Sequence, residues 1–220
     1  MKTDDLLNKP IALVVALAIV SLLPFLFMSL TAFVKISTVL QIVKSAIGAQ
    51  NVPSNNVVMA LATALTLIAM APVGEKIADR AAPLLHDKND TPVLVEKGVE
   101  AVREPMRDFL KANSSASEQT RFLEVAQSSR PEPERSKVSQ NDLSVLAPAF
   151  VVTELTEAFA IGFLIFLPFL IIDLVVANVL LALGMQMLNP TQVSLPFKLL
   201  LFVAIGGWGL LAQALVAGYH

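Results

Sequence analysis

FLPFLIIDLVVANVLLALG, Phe166 to Gly184, is built almost wholly from large aliphatic residues and phenylalanine, yet it carries one carboxylate near its centre. That acid is Asp173, with Pro168 before it and Asn178 after it. A charge at the centre of a membrane helix costs about 2.5–3.5 kcal/mol on an insertion scale, while each Leu, Ile, Phe or Val returns only about 0.3–0.6 kcal/mol. A dozen such residues supply roughly 5 kcal/mol, and Asp173, Asn178 and Pro168 consume most of it. As a lone span the segment is marginal. It becomes comfortable only where Asp173 faces protein or water, so the stretch predicts helices packed against one another.

The chain around it has the same character. Of its 220 residues 55% are hydrophobic and 15% charged, where a soluble domain carries roughly 25% charged residues. The membrane class follows from composition. Sixteen basic and 18 acidic residues nearly cancel, which gives no reason to expect nucleic acid or an acidic substrate. The absence of cysteine excludes disulfides, thiolate catalysis and cysteine-bound metals. The start, MKTDDLLNK, has Asp4 and Asp5 where a cleaved signal peptide would be basic. The apolar run that follows, Pro10 to Val34, is long enough to span a bilayer and reads as a retained membrane segment.

Apolar runs then organise the chain into three parts. Residues 1–74 hold two hydrophobic segments, Pro10 to Val34 and about Val57 to Val73. Residues 75–142 hold most of the charges. Within them Val95, Val99, Val102, Met106 and Phe109 fall on one helix face, Pro105 should kink that helix, and a second helix should start near Ser117. Ser128 to Lys137, SSRPEPERSK, reads as a linker. Residues 143–220 hold a long apolar region broken by Glu154, Glu157, Pro168 and Asp173, and a last segment from Val193 to Val216. The fold class expected is an all-α membrane protein of broken apolar hairpins with a small polar helical domain. Lys35 and Lys44 in the first connection, and Lys198 before the last segment, place those connections in the cytoplasm and the polar domain outside.

Several polar residues sit where helices meet. Glu154 and Glu157 share a helix face with the small residues Ala158 and Gly162, a pattern that lets membrane helices approach and be tied by polar groups. Lys35, Lys44, Lys76 and Lys198 are candidate partners for the acids, or they snorkel to the headgroups. Gly184-Met185-Gln186-Met187-Leu188-Asn189-Pro190 ends one helix and opens a turn; its soft methionines make either a plain turn or, in a ring of copies, a gasket. Asp173, Glu154 and Glu157 also suggest an alternative, an ion- or proton-coupled small-solute transporter, although no internal repeat is visible. An intramembrane enzyme is disfavoured. The only imidazoles are His86 and His220, there is no H-E-x-x-H site, and no phosphate-binding glycine loop occurs.

Taken together, LAPAFVVTELTEAFAIGFLIFLPFLIIDLVVANVLLALGM, SLPFKLLLFV, TAFVKIS, the AIG turn at Ala46 to Gly48 and MAPVG at Met70 to Gly74 resemble the FliP/SctR family, the core export-gate subunit of type III secretion systems. The wording LTEAFAIGFLIFLPF looks closer to the injectisome branch than to the flagellar one. The resemblance implies a ring or cone of five copies in the bacterial inner membrane. A small two-helix subunit and a larger one would join it, the polar domain would be periplasmic, and unfolded proteins would pass through with no chemistry or cofactor in this chain. It also implies that Met185, Gln186 and Met187 form the constriction of the closed channel, and that Glu154, Glu157, Asp173, Lys35 and Lys198 make contacts between helices or subunits. Three departures stand out. Gln186 replaces a usual methionine, Gly206 replaces a usual Asp, and Val43-Lys44-Ser45 replaces a typical Leu-Arg-Asn.

Overall fold

The computed structural model describes residues 10–49, 52–86 and 91–219. The amino-terminal MKTDDLLNK and His220 lie outside the described residues, as do the side chains of His86 and Val95. Among the described residues all regular structure is helical. The described residues form nine α-helices: α1 Pro10–Leu30, α2 Phe33–Ile47, α3 Asn55–Ala69, α4 Ala71–Ala81, α5 Thr91–Ala112, α6 Ala116–Ser128, α7 Leu143–Ala182, α8 Pro190–Ala204 and α9 Gly207–Ala217. Short 3-10 turns cover Ala82–His86 and Arg135–Lys137. Taken alone, α7 is long and apolar enough to cross a membrane, and tightly broken helix pairs raise the candidate spans to four at most among the described residues.

Two compact units divide the chain, and neither is contiguous. The first takes residues 1–31 and 70–153. In it Phe109 of α5 meets Phe150 of α7 at 5.5 Å between ring centres, beside buried Leu110, Val145 and Leu146. Ser115 caps α6 by accepting from the Glu118 amide, so the helix starts at Ala116, one residue before the Ser117 expected from the sequence. The Ser115 amide donates to Thr153 Oγ1 at 3.0 Å, tying the α5–α6 turn to α7. Gln119 Nε2 donates to the carbonyls of Lys111 and Ser114, so a buried amide is matched by backbone acceptors that end α5. Arg80 of α4 pairs with Glu104 of α5, and its hydrogen bond and charge hold the Glu104 carboxyl below the ordinary range. The apolar face of α5 is only partly covered. Phe109 is buried, while Val99 and Val102 are exposed and line an open groove of about 590 Å³ with Leu30, Met106, Leu110 and Leu143.

The second unit takes residues 32–69 and 154–220. Its centre is α2, which the sequence places in a polar connection. Phe33, Ile36, Leu40, Val43 and Ile47 recur every three or four residues and are all buried, the spacing of a helix with one core face. Thr38 and Ser45 turn their hydroxyls back onto carbonyls one turn earlier, so α2 is polar in composition and still packs. Gly48, at φ +82°, ends it in the left-handed conformation glycine favours.

The long apolar region also differs from expectation. Glu154, Glu157, Pro168 and Asp173 do not break it: α7 runs unbroken for 40 residues, about 60 Å at 1.5 Å per residue, or roughly twice the hydrocarbon thickness. Ending a helix in apolar surroundings would strand several amides and carbonyls, whereas one proline removes a single donor. Helix continuity wins. The break falls instead between α8 and α9, which meet at 58° around Gly206 at φ +64°.

Candidate functional site

Two polar clusters and one hairpin tip stand out in the second unit. Glu154 comes from the buried face of α7, Lys35 from the start of α2. The Lys35 ammonium lies 2.9 Å from Glu154 Oε1 and 2.7 Å from Glu157 Oε2. Glu154 is 1% exposed and Lys35 6%, while the Glu157 side chain is 53% exposed. Tyr219 closes the cluster. Its hydroxyl donates to Glu154, lies 3.4 Å from the Ala32 carbonyl, and its ring sits 4.5 Å from the Lys35 nitrogen. A buried ion pair needs such extra bonds to offset desolvation. Small residues make the approach possible. Ala158 is fully buried, and a Cβ on Gly162 would stand 2.6 Å from Ile42 Cδ1 of α2. Residue numbers rise together along the two helices, so α2 runs parallel to α7 here.

Asp173 anchors the second cluster. Lys198 of α8 donates to Asp173 Oδ2 at 2.7 Å and to the Ala46 carbonyl at 3.3 Å. Ser194, one turn before Lys198, donates to Asp173 Oδ1. Lys198 is 2% exposed and ties α8 to both α7 and α2. The Ala46 carbonyl belongs to the last turn of α2, the negative end of that helix, where a cation is favoured. Phe169 and Phe202 continue the α7–α8 seam at 6.3 Å, and Trp208 stands edge-on to Phe202 at 5.1 Å. A Cβ on Gly207 would collide with the Phe202 ring.

Both lysines therefore lie inside helices, buried and ion-paired. Neither belongs to a connection, so neither counts as a flanking positive charge in an orientation argument. Lys44, whose ammonium donates to Asn55 at 2.6 Å and closes the α2–α3 turn, is the remaining basic residue of that reading.

At the tip of the α7–α8 hairpin, Gly184 turns at φ +73° and Asn189 caps α8 by accepting from the Thr191 amide. Met185, Gln186 and Met187 are all exposed, Met187 at 99%. Among the described residues no group of three or more His, Cys, Asp or Glu side chains could hold a metal. Reading the sequence missed Tyr219 and Ser194. Tyr219 is the only tyrosine of the chain, and a buried phenol must find an acceptor; that was the available signal. Ser194 had its spacing of four from Lys198.

Comparison with known proteins places these features in context. The FliP family description matches residues 16–215. The hypersensitivity response secretion protein HrcR of Ralstonia nicotianae is 42% identical over 210 residues, covering 95% of this chain and 97% of its own. The Yop proteins translocation protein R of Yersinia pestis is 40% identical over 217 residues, covering 97% and 98%. The flagellar biosynthetic protein FliP of Caulobacter vibrioides is 40% identical over 216 residues, covering 98% of this chain and 78% of its own.

Proposed function

The chain belongs to the FliP family, and from that premise we infer that it is a core membrane subunit of a type III protein-export apparatus. Relatives named for secretion of hypersensitivity response proteins and for translocation of Yop proteins match it nearly end to end, which supports the same cargo class here: exported polypeptides. Near-complete coverage of those proteins, against 78% of the flagellar relative, supports the injectisome branch. The transporter alternative is set aside. The relatives carry protein-secretion names, and Asp173, Glu154 and Glu157 each meet a lysine of the same chain, leaving no free relay of acids.

The finer reading is a ring of five copies in the bacterial inner membrane, joined by a small two-helix subunit and a larger one, with residues 75–142 in the periplasm. It rests on the family resemblance and on the wide apolar surface of α7, whose Phe159, Phe163, Leu164 and Ile171 are exposed and need lipid or protein to cover them. Met185, Gln186 and Met187 form the constriction of the closed channel. The observation that carries this role is the exposed, apolar hairpin tip with Met187 wholly uncovered. Replacing both methionines by glycine removes bulk from the seal and is expected to raise uptake of small solutes while the native complex keeps its mass. A sealed double variant would take the tip out of the gate. A monomeric native mass for the wild-type chain would remove the ring.

A further inference from the structure

The two arms of the α7–α8 hairpin are held unequally. On the α8 side, the end of α2 holds on through the Ala46 carbonyl, which accepts from Lys198. Lys198 and Ser194 then reach across to Asp173. Beyond Asp173, α7 continues for about 15 Å to the tip with most of its surface exposed. Between that distal arm and α8 lies an apolar gap of about 490 Å³, lined by Val175, Val176, Val179, Leu180, Val193 and Phe197 among others. The gap is open to the outside along one side, where Val175, Val179 and Phe197 are exposed.

We propose that Lys198 is a positioning residue for the methionine tip, bolting the base of the hairpin to the end of α2 through Asp173 and the Ala46 carbonyl, and that the apolar gap is the space into which the distal α7 arm closes when the tip is withdrawn. This rests on the reading of the tip as a gate. The bolt sets where the closed tip stands, because among the described residues it is the last side-chain polar tie between α7 and α8 before the distal arm. The gap gives that arm a direction to move, toward the fixed α8. Its walls are wholly apolar, so closing the gap buries apolar surface and strands no polar group.

The two halves of the proposal predict opposite failures, which a loss of folding would not produce. Five variants of the chain are placed in the complete export apparatus, and three quantities are read: native mass of the complex, uptake of a small solute, and export of a protein substrate. Lys198→Met is expected to raise uptake with the mass unchanged, and Lys198→Arg, which keeps the charge, to stay sealed. Because Lys198→Met leaves Asp173 without its cation, the pair Asp173→Asn with Lys198→Met removes both charges and is expected to leak in the same way. Val176→Phe fills the gap and is expected to stay sealed but lose export. A sealed Lys198→Met and a sealed double variant overturn the bolt, as does loss of the complex in both. Normal export by Val176→Phe overturns the closing motion. So does loss of its complex, which would mean that another chain occupies the gap. If Met185→Gly with Met187→Gly also fails to leak, the gate reading itself has failed; if that variant leaks and the Lys198 variants do not, only the bolt has.

Discussion

Lys35 and Glu157 show why exposure decides the worth of a charge. Lys35 faces two carboxylates, one buried with it and one half in solvent. Removing one partner of a buried pair leaves an uncompensated charge and costs about 3–5 kcal/mol, while an exposed pair is worth up to about 1 kcal/mol. Lys35→Met should therefore lower the thermal unfolding midpoint of the detergent-solubilised protein far more than Glu157→Gln does. Equal losses would mean that Glu157, not Glu154, is the structural partner. At this scale the sequence named the acids and the lysines as groups in need of company. It could not pair them, because Glu154 and Tyr219 are 65 residues apart and Asp173 and Lys198 are 25 apart, and only folding selects which meet.

Among the elements, α2 and α7 approach closely at one glycine. Gly162 lies directly under Ile42, so Gly162→Ala overpacks the contact, at a cost of about 1–3 kcal/mol. Shortening the neighbour should relieve it. Gly162→Ala combined with Ile42→Ala is expected to be less destabilised than the sum of the two single variants, a coupling read from a double-mutant cycle of unfolding midpoints. Strict additivity would show that the helices separate freely at this point. The Ala158–Gly162 spacing was legible as a helix contact, but its partner was not. In the sequence α2 looks like a connection because its lysines, serines and threonine dilute the composition, although the three-four spacing of Phe33, Ile36, Leu40, Val43 and Ile47 is present. The continuity of α7 was hidden for the opposite reason. A helix apolar on every side has no face for periodicity to reveal, and the scattered acids looked like breaks.

For the molecule as a whole, orientation is the property most open to direct measurement. The segment Pro131–Lys137 is exposed throughout, with trypsin-sensitive bonds after Arg135 and Lys137. With the polar domain in the periplasm, protease added to spheroplasts should cut there, and inside-out vesicles should be protected. The reverse pattern would invert the topology. Lysine counting cannot supply this answer, since burial of Lys35 and Lys198 takes both out of the flanking set.

By itself the sequence determined that this is a helical, strongly apolar protein of the FliP family. It also indicated that the few charges within its apolar segments needed partners, because composition and insertion cost are local sums over neighbouring residues. Only the tertiary structure decided that α2 is a core helix, that α7 runs unbroken through its acids, and that Lys198 joins Asp173 to the end of α2. Those outcomes depend on which distant groups share one buried volume, where an ion pair is stable only if its partners and their remaining hydrogen bonds arrive together.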